Sequence, residues 1–415
     1  MLIKKIQIEG YRSCKKTEFI LNTNLSVLIG PNGSGKTNVL NAVLLLKKLL
    51  TQDEYRYSIV PEEQPTGQCK LKVWFEHGKK QIILNSVITI FTDEKNRDVI
   101  VNSREKWYLK DFTGDKKQYV VPLRFFLHEY ERNIRGKEYD RNYRYMHPKM
   151  MRQRSMQYFQ LNRKVSDIMI ILAKFISEIK YYSASQFTNP ARCPVSFEIE
   201  KARRYSWNLS EEKHSKFLSD LYREYKFSQN SRYAQYFEII GPDGIGLVDD
   251  IDFKDIPVSS IQYSVISGGK VQKKTREKML IIPNFKIGEN NLSPNQLSEG
   301  TFKTITLLFY LMTENSSMLL VEEPEVCVHH GLLASIIELI KTCSYDKQII
   351  VSTHSDFVLD KVEPESVYQV SRSSKNGTIV KHLSKSMSKK DLKVLKKYLE
   401  TEGNLGEYWK HGALE

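Results

Sequence analysis

The chain has 415 residues, 40% of them hydrophobic and 27% charged, which is the composition of a folded globular protein with one large or two modest lobes. No stretch approaches the ~20 apolar residues of a membrane helix, and the N-terminus alternates like a strand instead of forming a signal peptide. We therefore expect a cytoplasmic protein with no membrane partner. The net charge of +14 is compatible with an anionic partner, and the five cysteines lack the spacing of a metal site.

A glycine-rich loop follows the first buried strand that the sequence predicts. Residues 25–29 read LSVLI, residues 30–37 read GPNGSGKT, and residues 38–46 favour a helix, so the G-x-x-x-x-G-K-[ST] pattern stands in its required strand–loop–helix context. Glycines let backbone N–H groups approach phosphate oxygens, and the helix N-terminus adds partial positive charge. Lys36 is expected at the β- and γ-phosphates of ATP, and Thr37 at Mg²⁺. The predicted nucleotide-binding residues of this loop are Asn32, Gly33, Ser34, Gly35, Lys36, Thr37 and Asn38.

In the middle of the chain the sequence predicts strands, then helices, then strands again. Short apolar blocks at residues 71–75, 81–84 and 87–91, separated by turns, predict antiparallel strands that extend the first lobe. Residues 165–182 carry an apolar face at helical spacing and predict a packed helix, followed by further helices up to residue 235. Strand-like pieces then lie between residues 236 and 290.

A basic region extends from Arg132 to Lys164, where ten Lys and Arg residues are interleaved with tyrosines. Arginine with tyrosine can grip phosphates and stack bases, so this region is a candidate nucleic-acid contact. The same residues also fit a solvated helical face or a self-association surface, since no base-reading module is recognisable. Both interpretations stay open.

A polar segment further along the chain suits a γ-phosphate. Apolar residues recur at helical spacing over residues 302–312, so Ser298 stands where the N-cap of this helix would be, and its hydroxyl, the backbone of Gly300 and the positive helix end come together.

Two buried strands then end in polar residues. Residues 318–321 predict a central strand that leads into Glu322 and Glu323. We expect Glu322 to hold the Mg²⁺ shell, and Glu323 to orient and deprotonate the attacking water. A strand over residues 348–351 leads to His354, which can hydrogen-bond the γ-phosphate and respond to its loss.

The segments GPNGSGKTN, LSEGT, LLVEEPE and STHS resemble, in this order, the Walker A, signature, Walker B and switch-histidine motifs of the RecF/SMC/OLD-type ABC ATPases. The resemblance implies an α/β P-loop head of ABC type with a mixed β-sheet core, an inserted helical region and an antiparallel β subdomain. It also implies that Ser298 and Gly300 contact the nucleotide held by a second copy, so that ATP joins two heads in a homodimer or higher homo-oligomer and hydrolysis releases them. LSEGT replaces LSGGQ here, and Glu322 stands where transporters have Asp.

The end of the chain suggests a context for this ATPase. Residues 395–414 resemble the ending of bacterial ATPases that serve in anti-phage defence, often beside a separately encoded nuclease. The residues after His354 are too few for a Toprim nuclease domain, so we expect any effector of the nuclease or Toprim type to be a separate protein. Three functions remain: a sensor or scaffold that gates such an effector, a DNA repair ATPase that binds DNA directly, and a slow ATPase that acts as an assembly module.

The predicted organisation divides the chain into five segments. They are the N-terminal part of the head (1–126), a basic helical insertion (127–235), a β-rich connecting segment (236–290), the C-terminal part of the head (291–380) and a helical tail (381–415).

Overall fold

A computed structural model describes most of the chain. The described residues are 1–50, 67–92, 98–110, 116–119, 123, 163–200, 213–227, 232–266, 270–312, 316–326, 328, 330–401 and 403–410. The predicted basic region at residues 132–164 lies outside them, apart from its last two residues.

The chain forms two compact units, each assembled from separate stretches of sequence. The first unit consists of Met1–Tyr181, Asn315–Glu323 and Ile337–Glu415, and the second of Tyr182–Glu314 and Pro324–Ile336. The five predicted segment boundaries stay predictions.

The described strands are β1 Leu2–Tyr11, β2 Cys14–Ile20, β3 Leu25–Ile29, β4 Gly67–His77, β5 Lys80–Thr92, β6 Asp98–Lys110, β7 Lys116–Tyr119, β8 Ile179–Ser183, β9 Phe197–Glu200, β10 Asp250–Ile266, β11 Lys270–Ile287, β12 Asn290–Leu292, β13 Met318–Glu322, β14 Gln348–Thr353, β15 Val367–Ser373 and β16 Gly377–His382. The described helices are α1 Lys36–Leu50, α2 Arg163–Ser177, α3 Lys213–Phe227, α4 Arg232–Ile240, α5 Glu299–Met312, α6 His330–Cys343, α7 Asp356–Asp360, α8 Leu383–Ser386, α9 Lys389–Thr401 and α10 Leu405–Lys410. Among these helices, none is long and apolar enough to span a membrane.

A mixed sheet carries the motifs, with the strand order β16-β15-β3-β14-β13-β8. Strand β3 lies parallel to β14 and β15, and β13 lies parallel to β14, whereas β16 pairs antiparallel with β15. Every residue of β3, β13 and β14 is buried, as expected of central strands covered on both faces. The predicted α/β fold with a mixed β-sheet core is confirmed.

An antiparallel sheet extends the first unit, in the order β2-β1-β4-β5-β6-β7. Buried and exposed residues alternate along β2 and β4, because one face of the sheet packs on the core. Residues 81–84 and 87–91, predicted as two strands, belong to the single strand β5. The buried side chain of Gln348 joins the two sheets: it accepts from the N–H of Ile3 at 2.9 Å and donates to the carbonyl of Ile3 at 2.8 Å.

The helix predicted over residues 165–182 is wrong at its end. Helix α2 stops at Ser177, and Ile179 begins strand β8. The apolar periodicity continues through this boundary, but isoleucine and the two tyrosines of β8 favour an extended backbone that pairs in the sheet. This register brings Tyr181, which the sequence analysis passed over, into the candidate site described below.

The second unit contains helices α3, α4 and α5, the start of α6 and a long β-ribbon among its described residues. Tyr236 on α4 donates to the carbonyl of Ile305 on α5 at 3.1 Å, and Phe302 stacks on His214 of α3 with ring centroids 5.4 Å apart. Strands β10 and β11 pair antiparallel over their whole length, and β9 and β12 pair with β11. The segment predicted as further helices therefore also contributes a strand, β9.

Candidate nucleotide-binding site

The glycine-rich loop has a backbone that only glycine adopts easily at two positions. Gly33 and Gly35 have φ of +78° and +105°. A Cβ on Gly33 would meet no atom within 4 Å, whereas one on Gly35 would lie 2.1 Å from Oγ1 of Thr378. Lys36 begins α1 with only 6% of its surface exposed, and its Nζ donates to the carbonyls of Gly30 at 2.7 Å and Pro31 at 3.2 Å. The side chain of Lys36 therefore folds back over the loop.

Two distant turns hold this loop from outside. Thr378, in the β15–β16 hairpin, is fully buried, and its Oγ1 donates to the carbonyl of Ser34 at 3.1 Å. Ser13, in the β1–β2 turn, shares a hydrogen bond with Thr378 Oγ1 at 2.7 Å and accepts from Nδ2 of Asn38 at 2.6 Å. The sequence analysis missed Ser13 and Thr378, because they lie outside every motif and far from the loop in sequence.

Glu322 ends strand β13 beside the start of α1. Its side chain is buried, with 7% exposure. Oε1 accepts a hydrogen bond from the hydroxyl of Thr37, and Oε2 accepts one from the phenol of Tyr181 on β8. The structure therefore brings together the two residues that the sequence predicts at Mg²⁺, and adds a tyrosine to them.

Glu323 leaves the strand with an unusual backbone. Its φ is +50°, in the left-handed region that non-glycine residues rarely adopt, and its N–H donates to the carbonyl of Ser352 at 2.9 Å. This turn separates its carboxylate, which is 35% exposed, from the buried carboxylate of Glu322. Nδ1 of His354, just after β14, lies 3.7 Å from Oε1 of Glu323. The predicted base and the predicted switch histidine are therefore neighbours.

The signature segment belongs to the second unit. Helix α5 begins at Glu299, and Oγ of Ser298 accepts from the N–H of Thr301 at 3.1 Å, which is the predicted N-cap geometry. The carbonyl of Gly300 accepts from Oγ1 of Thr304 at 2.8 Å. Lys303, with 1% of its side chain exposed, lies 2.6 Å from the carboxylate of Glu299, which compensates its buried charge.

The residues of the first unit fit a magnesium nucleotide. Ser34 and Ser352 each have a buried Oγ that finds no hydrogen-bond partner among the described residues, so both hydroxyls have capacity for a phosphate or a bound water. The open space at Gly33 leaves room for phosphate oxygens next to the backbone. A hydroxyl and a carboxylate in contact, from Thr37 and Glu322, are the hard oxygen ligands that Mg²⁺ prefers.

Comparison with known proteins agrees with this geometry. The AAA ATPase domain family (AAA_15) matches residues 1–359. The DNA replication and repair protein RecF of Geobacter metallireducens is 29% identical over 117 residues, which are 28% of this chain and 30% of that protein. The DNA double-strand break repair Rad50 ATPase of Methanopyrus kandleri is 46% identical over 79 residues, 19% of this chain and 9% of that protein. The similarity thus spans less than a third of either curated relative.

Solved structures give a weaker likeness. An Smc head bound to the C-winged helix domain of ScpA aligns with 92% of this chain and 97% of its own, at 13% identity and a TM-score of 0.45. The Smc head domain of Thermotoga maritima aligns with a TM-score of 0.40, at 14% identity over 92% of this chain and 98% of its own. These scores are too low to carry an argument. The family match covers most of the sequence, and on that ground the chain belongs to the AAA ATPase domain family.

Proposed function

We propose that this chain binds ATP with Mg²⁺ between two copies and hydrolyses it slowly, so that nucleotide state controls whether the heads are engaged. The observations that carry the proposal are the contact between Thr37 and Glu322 and the position of Glu323 and His354 directly after strands β13 and β14. The predicted signature residues belong to the second unit, on a capped helix N-terminus, where a second copy's γ-phosphate would find a hydroxyl and N–H donors.

Each residue near the loop has a distinct task in this proposal. Lys36 exchanges its two carbonyl partners for phosphate oxygens, because a charged acceptor binds an ammonium more strongly than a neutral carbonyl does. Thr37 and Glu322 hold Mg²⁺, which when bound neutralises charge on the β- and γ-phosphates.

In this proposal the residues that follow strands β13 and β14, Glu323 and His354, carry out hydrolysis. Glu323, turned away from the metal ligands by its left-handed backbone, orients the attacking water and accepts its proton. His354 lies close enough to Glu323 to hold it in position. In this proposal His354 donates to the γ-phosphate until that group leaves.

Glu323→Gln tests this assignment. The variant keeps the size and hydrogen-bonding shape of the side chain but cannot accept a proton, so it should bind ATP, lose at least a hundredfold in turnover and accumulate as a dimer. Size-exclusion chromatography with light scattering, with and without ATP, measures the dimer, and Lys36→Ala is the control that should stay monomeric. Wild-type turnover in the glutamine variant would show that another group is the base.

We further propose that the engaged state gates a separate effector of the nuclease or Toprim type in anti-phage defence. The C-terminal helix α10 supports this, because it is fastened to α7, the helix that directly follows His354. The N–H of Gly406 donates to Oδ1 of Asp360 at 2.7 Å, and Lys410 forms an ion pair with Asp356. A change at His354 would thus reach an outer helix that another protein can contact. Co-purification of an effector that is lost when residues 405–415 are removed would support the proposal, and unchanged co-purification would count against it.

Direct DNA binding is a second candidate function, favoured by the β-ribbon. Residues 270–277 of β11 contain four Lys or Arg and one Glu, and the facing residues 259–266 of β10 carry no charge. A two-stranded antiparallel ribbon fits the major groove of DNA, and the RecF and Rad50 relatives are named for DNA repair. The affinity for duplex DNA, measured at several salt concentrations, tests this candidate function. Each phosphate contact contributes about −0.9 to the slope of log K against log salt concentration. If the triple variant Lys270→Gln/Lys274→Gln/Arg276→Gln has a less steep salt dependence than wild type, and glutamine substitutions of basic residues within residues 132–164 do not, then the DNA contact lies on the ribbon.

A further inference from the structure

The Walker B carboxylate is held by two donors that reach it from different elements. The hydroxyl of Thr37 donates to Oε1 of Glu322, and the phenol of Tyr181 donates to Oε2. The motifs account for the first contact, because both residues belong to the predicted magnesium site. The second contact comes from a residue outside every recognised motif.

Sheet geometry explains why Tyr181 reaches this position. Strand β8 lies next to β13 at the edge of the mixed sheet, and the side chain of Tyr181, the middle residue of β8, reaches Glu322, the last residue of β13. The start of β8 is fixed as well, because Ile179 is fully buried and its carbonyl accepts from Nζ of Lys47 on α1 at 2.9 Å. Tyr181 therefore sits on a fixed strand rather than on a free loop.

The contact restricts how the carboxylate can turn. A glutamate side chain has three rotatable bonds. A carboxylate that is held through only one oxygen can therefore still turn its second oxygen in several directions. With Tyr181 on Oε2, the remaining oxygen, Oε1, stays directed at the hydroxyl of Thr37. The two oxygens predicted to bind the same cation are thus already in contact, and a divalent ion does not have to order them.

We propose that Tyr181 is a positioning residue for the metal site: its phenol fixes Glu322 so that the carboxylate and the hydroxyl of Thr37 face one Mg²⁺. This inference rests on the proposed function, because it assumes that Thr37 and Glu322 are the metal ligands. Tyr181 itself touches neither the metal nor the nucleotide in this role. Its effect is on cation affinity, and nucleotide affinity without a cation should not depend on it.

Tyr181→Phe removes the phenol and little else, and the adjacent Tyr182→Phe is a matched control. The hydroxyl of Tyr182 donates to the carbonyl of Lys303 at 3.1 Å, so the control loses a buried hydrogen bond of similar kind that has no part in the metal site. Mn²⁺ replaces Mg²⁺ as the probe, and its binding to the ADP-loaded chain is measured by electron paramagnetic resonance. ADP affinity in EDTA is measured in parallel.

Tyr181→Phe should bind Mn²⁺ about tenfold more weakly than wild type, the loss expected for one hydrogen bond to a charged group, with unchanged ADP affinity in EDTA. Tyr182→Phe should match wild type in both. Equal or tighter Mn²⁺ binding by Tyr181→Phe would overturn the inference, since a phenol that only satisfies a buried carboxylate would not favour the cation. Failure of the wild-type chain to bind ADP at all would instead defeat the proposed function.

A labelled tyrosine keeps the test valid if the phenylalanine variant does not fold. With 3-fluorotyrosine incorporated at position 181, the fluorine resonance should broaden strongly when Mn²⁺–ADP binds, and should stay sharp with Mg²⁺–ADP. No broadening under saturating Mn²⁺–ADP would mean that the cation does not bind beside Tyr181, and the inference would fail.

Discussion

Thr378→Val separates the scaffold of the nucleotide loop from the loop itself. Valine keeps the shape of threonine, so the fully buried site should not gain a cavity, but two hydrogen bonds of the hydroxyl are lost. The carbonyl of Ser34 loses a donor at 3.1 Å, and Ser13 loses a partner at 2.7 Å. Leaving such buried polar groups without a partner costs about 1–3 kcal/mol, so the free energy of unfolding should fall by that amount.

Thr378→Val should also weaken ATP binding, although the side chain of residue 378 makes no contact with a phosphate in this proposal. If the untethered loop must be ordered again by the nucleotide, about 1 kcal/mol of the loss reappears as a roughly fivefold weaker affinity. Urea unfolding without nucleotide and titration with a fluorescent ATP analogue in EDTA measure the two effects. Ser13→Ala and the double variant complete a cycle, in which the coupling of contacting residues should be about 0.5–3 kcal/mol. Wild-type stability and affinity in Thr378→Val would refute the claim that this hydroxyl supports the loop.

Two further predictions concern the composite site and the tail. A mixture of Lys36→Ala chains with Ser298→Arg chains should recover ATPase activity that neither shows alone, because one site of the mixed dimer keeps both an intact loop and an intact signature; no recovery would exclude a site shared between copies. The hydrogen bond from Lys410 lowers the pKa of Asp356, and the same pair raises the pKa of Lys410. The pair therefore stabilises tail docking above the unfolded pKa of Asp356, near 4, and this contribution is lost as pH falls through the lower folded value. The protection factors of the α10 amides, taken against the intrinsic exchange rate at the same pH, should fall in that acid range for wild type and should be low at acid and neutral pH alike in Lys410→Met.

The sequence was sufficient wherever one residue type and one spacing determine the chemistry. The strand–loop–helix order around Lys36 and the apolar strand before Glu322 predicted buried central strands, with Thr37 and Glu322 at one Mg²⁺. In the structure the two side chains are in contact, because the parallel strands bring their ends to the same edge of the sheet. The N-cap at Ser298 was equally readable, since a small hydroxyl residue directly before an apolar helical repeat has few other roles.

The supporting residues could not be read in this way. Ser13 and Thr378 are ordinary turn and strand residues whose importance comes only from a contact between chain segments 365 residues apart. Tyr181 was hidden by a helical periodicity that continued past the true end of α2, so an aromatic residue of a strand looked like part of a helix face. Tertiary pairing decides such positions, and one sequence does not record it.

The left-handed backbone of Glu323 leads to a last prediction, which compares two variants that both lack the carboxylate. A non-glycine residue at φ near +50° costs about 1–2 kcal/mol, and glycine avoids this cost. The free energy of unfolding of Glu323→Gly should therefore be about 1 kcal/mol higher than that of Glu323→Ala. Glu338 is the control: it is exposed in the interior of helix α6, so there alanine should be the more stable replacement by about 1 kcal/mol. If alanine is preferred at both positions, the strand end at Glu323 is not strained, and the separation of the two carboxylates must have another cause.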